Sequence, residues 1–389
     1  MNIDDFISKK VSTMPPSGIR KFFDLASKVE DIISLGVGEP DFITPWNIRE
    51  TGIYSLEKGY TFYTSNSGLP KLREEICNYL GRKYNLNYLH DEILVTVGAS
   101  ESIDLALRAI INNGDEVIIP EPCFVSYKPC TILAGGVPVV IDTKSENNFK
   151  VTSNEILEKI TSKTKAIILS YPNNPTGAIL DYNDLKKIVD VLKDKDIIVI
   201  SDEIYSELTY NSKHISIASF PEMKNKTILI NGFSKSFAMT GWRLGYSAGN
   251  KTIINNMTKI HQYTIMSAPT PSQYAGIEAL QNSMSSVGEM TKEYNKRRKI
   301  IVEGFNKMGL VCFEPKGAFY VFPSIKKTGL SSEEFAEKLI QKEKVAVVPG
   351  NAFGDSGEGF IRCSYAYSLE NIMEALKRIE KFVINNCNS

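Results

Sequence analysis

Seven short β-rich apolar runs recur between residues 93 and 248, and stretches with helical spacing separate several of them. The runs are ILVTV (93–97), EVIIP (116–120), VPVVI (137–141), AIILS (166–170), IIVIS (197–201), TILIN (227–231) and LGYSA (244–248). Near-continuous runs of this kind fit strands buried on both faces of a mainly parallel sheet that helices cover. SIDLALRAII and DYNDLKKIVDVLKD have helical spacing, and the second starts after an N-cap at Asp181. Too little chain separates the sixth and seventh runs for a crossover helix, which leaves room for one antiparallel strand.

After about residue 285 the pattern changes. EMTKEYNKRRKIIVEGFNKMG reads as a long charged helix, followed by GAFYVFP, SEEFAEKLIQKE, VAVVPG, FIRCSY and a closing helix from about residue 368. The expected fold class is therefore α/β in two parts. A large domain over residues 48–284 carries a seven-stranded, mainly parallel sheet sandwiched by helices. A smaller α+β domain is built from both chain ends, residues 1–47 and 285–389.

Several functions are disfavoured at once. Lys plus Arg and Asp plus Glu both number 45, so no basic field points to nucleic acid or an anionic membrane. The apolar runs are shorter than a bilayer needs, and MNIDDFISKK has no uninterrupted apolar core of a secretory signal. Six cysteines (77, 123, 130, 312, 363 and 387) lie scattered without CxxC spacing. Reduced thiols in the cytoplasm are the expectation.

Ligands of open α/β sheets bind beyond the carboxyl ends of the strands, so the residues just past each run matter most. GASES comes after the first run and opens a helix, where unpaired N–H groups and the positive dipole end suit a phosphate; Ser100 would also serve there as a plain N-cap. YPNNPTG comes after the fourth run as a tight turn and offers Asn173 and Asn174. Asp202, Glu203 and Tyr205 come after the fifth. A strand ending in Asp-Glu also suits a P-loop ATPase, but GxxxxGK[ST] is missing. GVGEPD at 36–41 fails as a dinucleotide fingerprint because Asp41 stands at the third glycine. The three histidines (90, 214 and 261) form no HExxH or ligand cluster, and GxSxG is absent.

The sixth run leads into FSKSFAMTGWRLGY, with Lys235 among small polar residues and Arg243 eight positions on. Alone, such a lysine is a solvated loop residue. Together with a phosphate-ready helix start, an Asn, an Asp and a Tyr, it suits a phosphate ester with a basic ring nitrogen, a phenolic oxygen and an amine-reactive aldehyde. Pyridoxal 5′-phosphate is such a molecule.

Over nearly its whole length the chain resembles the class I and II aminotransferases of the aspartate aminotransferase fold type. GVGEPDF, YPNNPTG, SDEIY, FSKSFAMTGWRLGY, GAFYVFP, VAVVPG and FIRCSY stand in that family's order and approximate spacing. The resemblance implies that Lys235 bonds to the cofactor aldehyde and Asp202 pairs with the pyridine nitrogen. It implies that Asn174 and Tyr205 bind the phenolic oxygen, and that Ala99, Ser100, Ser234 and Arg243 hold the phosphate. Phe124 falls where the family stacks an aromatic ring on the cofactor. Arg362 matches the arginine that takes the substrate α-carboxylate, and Gly38 the backbone that closes over it. Tyr63, in TFYTSNSGLP, matches a tyrosine reaching the neighbouring subunit's phosphate, which implies a homodimer.

The implied reaction is a ping-pong Schiff-base transfer of an amino group from an amino acid to a 2-oxo acid such as 2-oxoglutarate. In PPSGIRKFFDLA (15–26), Ile19, Phe22, Phe23 and Leu25 accompany Arg20 and Lys21, and the segment resembles the lid of aromatic and broad-range members. CFVSY adds Phe124 and Tyr127, which suit an apolar substrate pocket or simply pack the ring and core. Aromatic or broad neutral donors are therefore expected, with aspartate as the alternative. A β-lyase or an aminocyclopropane-forming synthase would share the same cofactor residues. A DNA-binding regulator with an aminotransferase-like part would need an extra N-terminal domain, whereas GVGEPDF already begins near residue 36.

Overall fold

The computed structural model describes residues 3–16, 18, 19, 27 and 29–387. A two-residue strand, β1 (Ile33–Ser34), precedes the seven strands that answer to the seven apolar runs. These are β2 (Ile93–Thr96), β3 (Glu116–Glu121), β4 (Val137–Asp142), β5 (Thr164–Ser170), β6 (Ile198–Asp202), β7 (Thr227–Gly232) and β8 (Gly245–Ala248). They form one sheet in the order β2-β8-β7-β6-β5-β3-β4. β4, β3, β5, β6 and β7 run parallel, whereas β8 is antiparallel to both β7 and β2. The short connection after β7 thus turns the chain back on itself, as its length requires.

The side-chain alternation of a strand explains why these runs are apolar throughout. In β5, Ala166 and Ile168 point into one core cluster, while Ile167 and Leu169 point into another on the opposite face. In β6, Val199 and Ile200 divide the same way. The Tyr182–Leu192 helix buries Leu185, Ile188, Val189 and Leu192 on one face. The Asp181 side chain caps it by accepting the Asn183 and Asp184 N–H groups at 2.9 and 3.0 Å. The Gly98–Ile110 helix departs from expectation: its N-cap is Val97, and Ser100 lies inside the first turn because the helix has already begun at Gly98.

The remaining strands are β9 (Tyr320–Val321), β10 (Val345–Ala346), β11 (Val348–Pro349) and β12 (Ile361–Ser364). An antiparallel sheet runs β11-β12-β9, and β1 pairs in parallel with β10, joining the N-terminal segment to the C-terminal part. The helices Met284–Lys307, Ser332–Glu343 and Leu369–Cys387 pack around this part through Phe305, Leu339, Ile379 and the edge-to-face pair Phe335–Phe382. Among the described residues, no helix is long and apolar enough to cross a membrane, and Cys77, Cys123, Cys130, Cys312 and Cys363 are free thiols.

Candidate active site

Strand direction gathers the chemistry at one edge of the large sheet. Ser170 lies in register with Asp202, and Asp202 with Ile230, so β5, β6 and β7 end side by side. Because β8 runs the other way, its amino end, just after Arg243, lies at that same edge. A cavity of about 370 Å³ opens there. Gly38, Ala99, Ser100, Phe124, Asn174, Asp202, Tyr205, Ser234, Lys235, Arg243 and Arg362 all line it. Tyr63 does not; it stands on the surface, 79% exposed.

At one end the geometry is that of an anion cradle. Gly98 has φ +74°, and a Cβ there would come within 2.6 Å of Arg243 Nη2. A Cβ on Gly245 would come within 2.5 Å of the Gly98 carbonyl carbon. Only glycines allow the guanidinium and the start of the Gly98–Ile110 helix to approach this closely. Arg243 is itself left-handed, at φ 51°, and donates from Nη1 to the Thr240 carbonyl at 3.0 Å. A helix N-terminus, two serine hydroxyls and a guanidinium together suit a phosphate. The residues fit the phosphate end of pyridoxal phosphate.

At the base lies Asp202, 4% exposed. Its Oδ2 accepts the Tyr127 hydroxyl at 2.7 Å and its Oδ1 the Ile204 N–H at 3.2 Å. Burial pushes this carboxyl up to about 6, and the two hydrogen bonds pull the other way. Tyr205 is buried, which raises its hydroxyl well above the usual tyrosine range and keeps it a donor at neutral pH. It lies 2.8 Å from the Tyr320 hydroxyl.

Lys235 donates from Nζ to the Gly38 carbonyl at 2.5 Å. Burial pulls its amine down to about 8, with Glu39 opposing. Arg362, on β12, is held between the Tyr320 and Phe353 rings, at 4.4 and 4.8 Å from their centres. Nη1 donates to Asn174 Oδ1 at 2.9 Å and Nη2 to the Gly36 carbonyl at 2.5 Å, while Nε, buried, has no hydrogen-bond partner. A buried donor without a partner invites an acceptor such as a carboxylate.

Some sequence readings need correction. Tyr127 lines the cavity, and its hydroxyl is also committed to Asp202, so it both walls the pocket and packs beneath it. Asn173 serves its own turn, its Oδ1 accepting the Thr176 N–H and hydroxyl at 3.1 and 2.8 Å. Glu203 faces away from the cavity, where its carboxylate meets His214 Nε2 at 2.8 Å and the Ser201 and Ser216 hydroxyls at 2.9 and 2.6 Å. Among the described residues, no group of three or more His, Cys, Asp or Glu could hold a metal. Arg20, Lys21, Phe22, Phe23 and Leu25 lie outside the described residues. Sequence reasoning passed over Tyr320, Glu39 and Thr240 as cavity residues. Each stands within a motif already singled out, and that was the available signal.

Comparisons with known proteins point to one family. The family model for aminotransferase class I and II matches residues 30–379. YugH of Bacillus subtilis (strain 168), an aminotransferase by provisional name, is 54% identical over 379 residues, 97% of this chain and 98% of that protein. An aspartate aminotransferase of Pyrococcus abyssi (strain GE5 / Orsay) is 48% identical over 379 residues, covering 96% of this chain and 97% of its own. The crystal structure of an aromatic aminotransferase from Pyrococcus horikoshii OT3 superposes with a TM-score of 0.90 at 45% identity, over 94% of this chain and 99% of that one. With the family match spanning nearly the whole sequence, this chain belongs to the class I and II aminotransferases, enzymes dependent on pyridoxal phosphate.

Proposed function

We propose that this aminotransferase takes aromatic or broad neutral amino acids as donors and a 2-oxo acid such as 2-oxoglutarate as acceptor. The observation that carries this reading is the apolar and aromatic lining of the cavity. Among the described lining residues the cations are Lys235, Arg243 and Arg362, and each has another task. Ile19, Val37, Ile103, Ile204, Phe124 and Tyr320 supply apolar and aromatic wall, and a second carboxylate, on 2-oxoglutarate as on aspartate, would need a cation from outside the described lining. Apolar pockets separate related side chains by only about 1–3 kcal/mol, so overlapping donors are expected. Steady-state turnover against a panel of amino acids tests the reading. Aspartate as donor is the second reading, favoured by the name of the Pyrococcus abyssi relative. It needs a cation from a neighbouring subunit or from residues 20–21.

The proposed roles rest on chemistry. Pyridoxal phosphate, when bound, supplies an electron sink that stabilises negative charge at the substrate Cα. Ala99, Ser100, Ser234 and Arg243 would hold its phosphate, Asn174 and Tyr205 its phenolic oxygen, and Phe124 its ring face. Asp202 would hold a proton on the ring nitrogen by charge pairing, and Tyr127 would orient that carboxylate. Lys235, with an amine near neutral pKa, would move the proton at Cα. Arg362 would bind the α-carboxylate, and Gly38, with its neighbours, would exclude water above it.

The reading extends to assembly. Trp46, Phe62, Tyr63 and Tyr263 are exposed, at 57%, 81%, 79% and 85%. The segments carrying Phe62, Tyr63 and Tyr263 adjoin: Thr270 Oγ1 donates to the Phe62 carbonyl, and Asn66 Nδ2 to the Met266 carbonyl. So much exposed aromatic surface supports a homodimer in which Tyr63 reaches the partner's site. Free thiols support a cytoplasmic location. Two parts, residues 48–284 against 1–47 with 285–389, would let Arg362 move relative to Lys235.

A further inference from the structure

Behind the phosphate turn lies a part-buried acid–imidazole pair that the chemistry above does not use. Glu101, in the first turns of the Gly98–Ile110 helix, folds back so that its Oε2 accepts the Val97 N–H at 2.5 Å. Its Oε1 lies 2.7 Å from Nδ1 of His261. His261 comes from the last turn of the Lys251–Thr264 helix and is 0% exposed. A carboxylate can only accept, so Nδ1 carries the hydrogen. Val97 is the N-cap residue yet has no side-chain oxygen, and Glu101 reaches back to the N-cap N–H as the acidic member of a capping box does.

The neighbourhood is built around the same turn. The Thr96 hydroxyl donates to the Gly98 carbonyl at 3.0 Å and lies 2.8 Å from the Ser102 hydroxyl. The cavity face of this turn needs its N–H groups aimed outward, and the rear face is where their direction is set. Loss of the imidazole would leave one carboxylate oxygen buried and unpaired. The relief open to Glu101 is to rotate away from Val97, which releases the turn.

Resting on the reading that this turn holds the cofactor phosphate, we propose that Glu101 and His261 form a brace that sets the phosphate turn. Both are positioning residues for cofactor affinity; neither touches the cavity chemistry.

The test titrates full-length protein, freed of cofactor, with pyridoxal phosphate and separately with pyridoxal, following the visible absorbance of the bound form. Wild-type protein that binds both equally would overturn the phosphate reading itself, whatever the variants do. With that discrimination present, His261→Leu should raise the Kd for pyridoxal phosphate about tenfold, or about 1.4 kcal/mol, and move that for pyridoxal less than about twofold. His261→Asn keeps an N–H donor near the Nδ1 position and should recover most of the loss. Glu101→Ala should match His261→Leu, and the double variant should be no worse than either alone. Equal weakening toward both ligands, unchanged affinity in His261→Leu, no recovery in His261→Asn, or additive losses in the double variant would each overturn the brace.

Discussion

The hydroxyl of Tyr127 donates a 2.7 Å hydrogen bond to Oδ2 of Asp202, joining the helix after β3 to the end of β6 beneath the cavity. Burial raises the Asp202 carboxyl to about 6, and this bond opposes the rise. Tyr127→Phe keeps the ring and removes the bond, so the carboxyl should titrate at still higher pH. The ionised form needed to pair with a protonated ring nitrogen is then lost sooner as pH falls. The acid limb of the kcat/KM profile should move upward by about one pH unit relative to wild type, as loss of a hydrogen bond to a charged group implies. An unshifted acid limb would show that the bond does not govern Asp202.

At Lys235 burial shifts the pKa in the opposite direction. Burial lowers its amine to about 8, and only the neutral amine attacks an aldehyde. Capture of pyridoxal phosphate by cofactor-free protein, followed by stopped-flow absorbance, should therefore speed up as pH rises and level off above about 8. A rate still climbing toward the ordinary lysine range would contradict this. Lys235→Ala should show no visible band of lysine-bound cofactor and no turnover.

Gly98→Ala tests the cradle. The new Cβ would meet Arg243 Nη2 at 2.6 Å on a backbone with φ +74°. Displacing the guanidinium and straining the turn should weaken cofactor affinity at least about tenfold, as measured by equilibrium titration. Wild-type affinity in this variant would mean that the close approach of Gly98 and Arg243 has no part in phosphate binding.

How much of this could be read from residues alone depends on sequence distance. The seven strands were legible because burial on both faces leaves an uninterrupted apolar run, and β8 because its connection was too short for a crossover helix. The cavity residues were legible because each lies just beyond a strand end or within a quoted motif. Tyr127 and Asp202 are 75 positions apart, and Glu101 and His261 are 160 apart. Pairings of that kind depend on sheet order and helix packing, and no local pattern announces them. The cap was misassigned to Ser100 because a Ser in GASES is a plausible cap, and nothing in the string shows Glu101 reaching back to Val97.

The proposed dimer makes a prediction about shared sites. Lys235→Ala chains and Tyr63→Ala chains, unfolded and refolded together, should form hybrids with one intact site. Activity should rise to about a quarter of wild type above the baseline of either parent. No gain beyond the parents would show that Tyr63 serves its own subunit or none.

The donor is the claim on which the functional account turns. Measuring kcat/KM for phenylalanine, tyrosine, alanine and aspartate, with 2-oxoglutarate as acceptor, tests it most directly. With apolar and aromatic side chains forming much of the described cavity wall, phenylalanine and tyrosine should lead, and aspartate should trail them. Aspartate exceeding phenylalanine by more than about tenfold, or about 1.4 kcal/mol in transition-state stabilisation, would contradict the account.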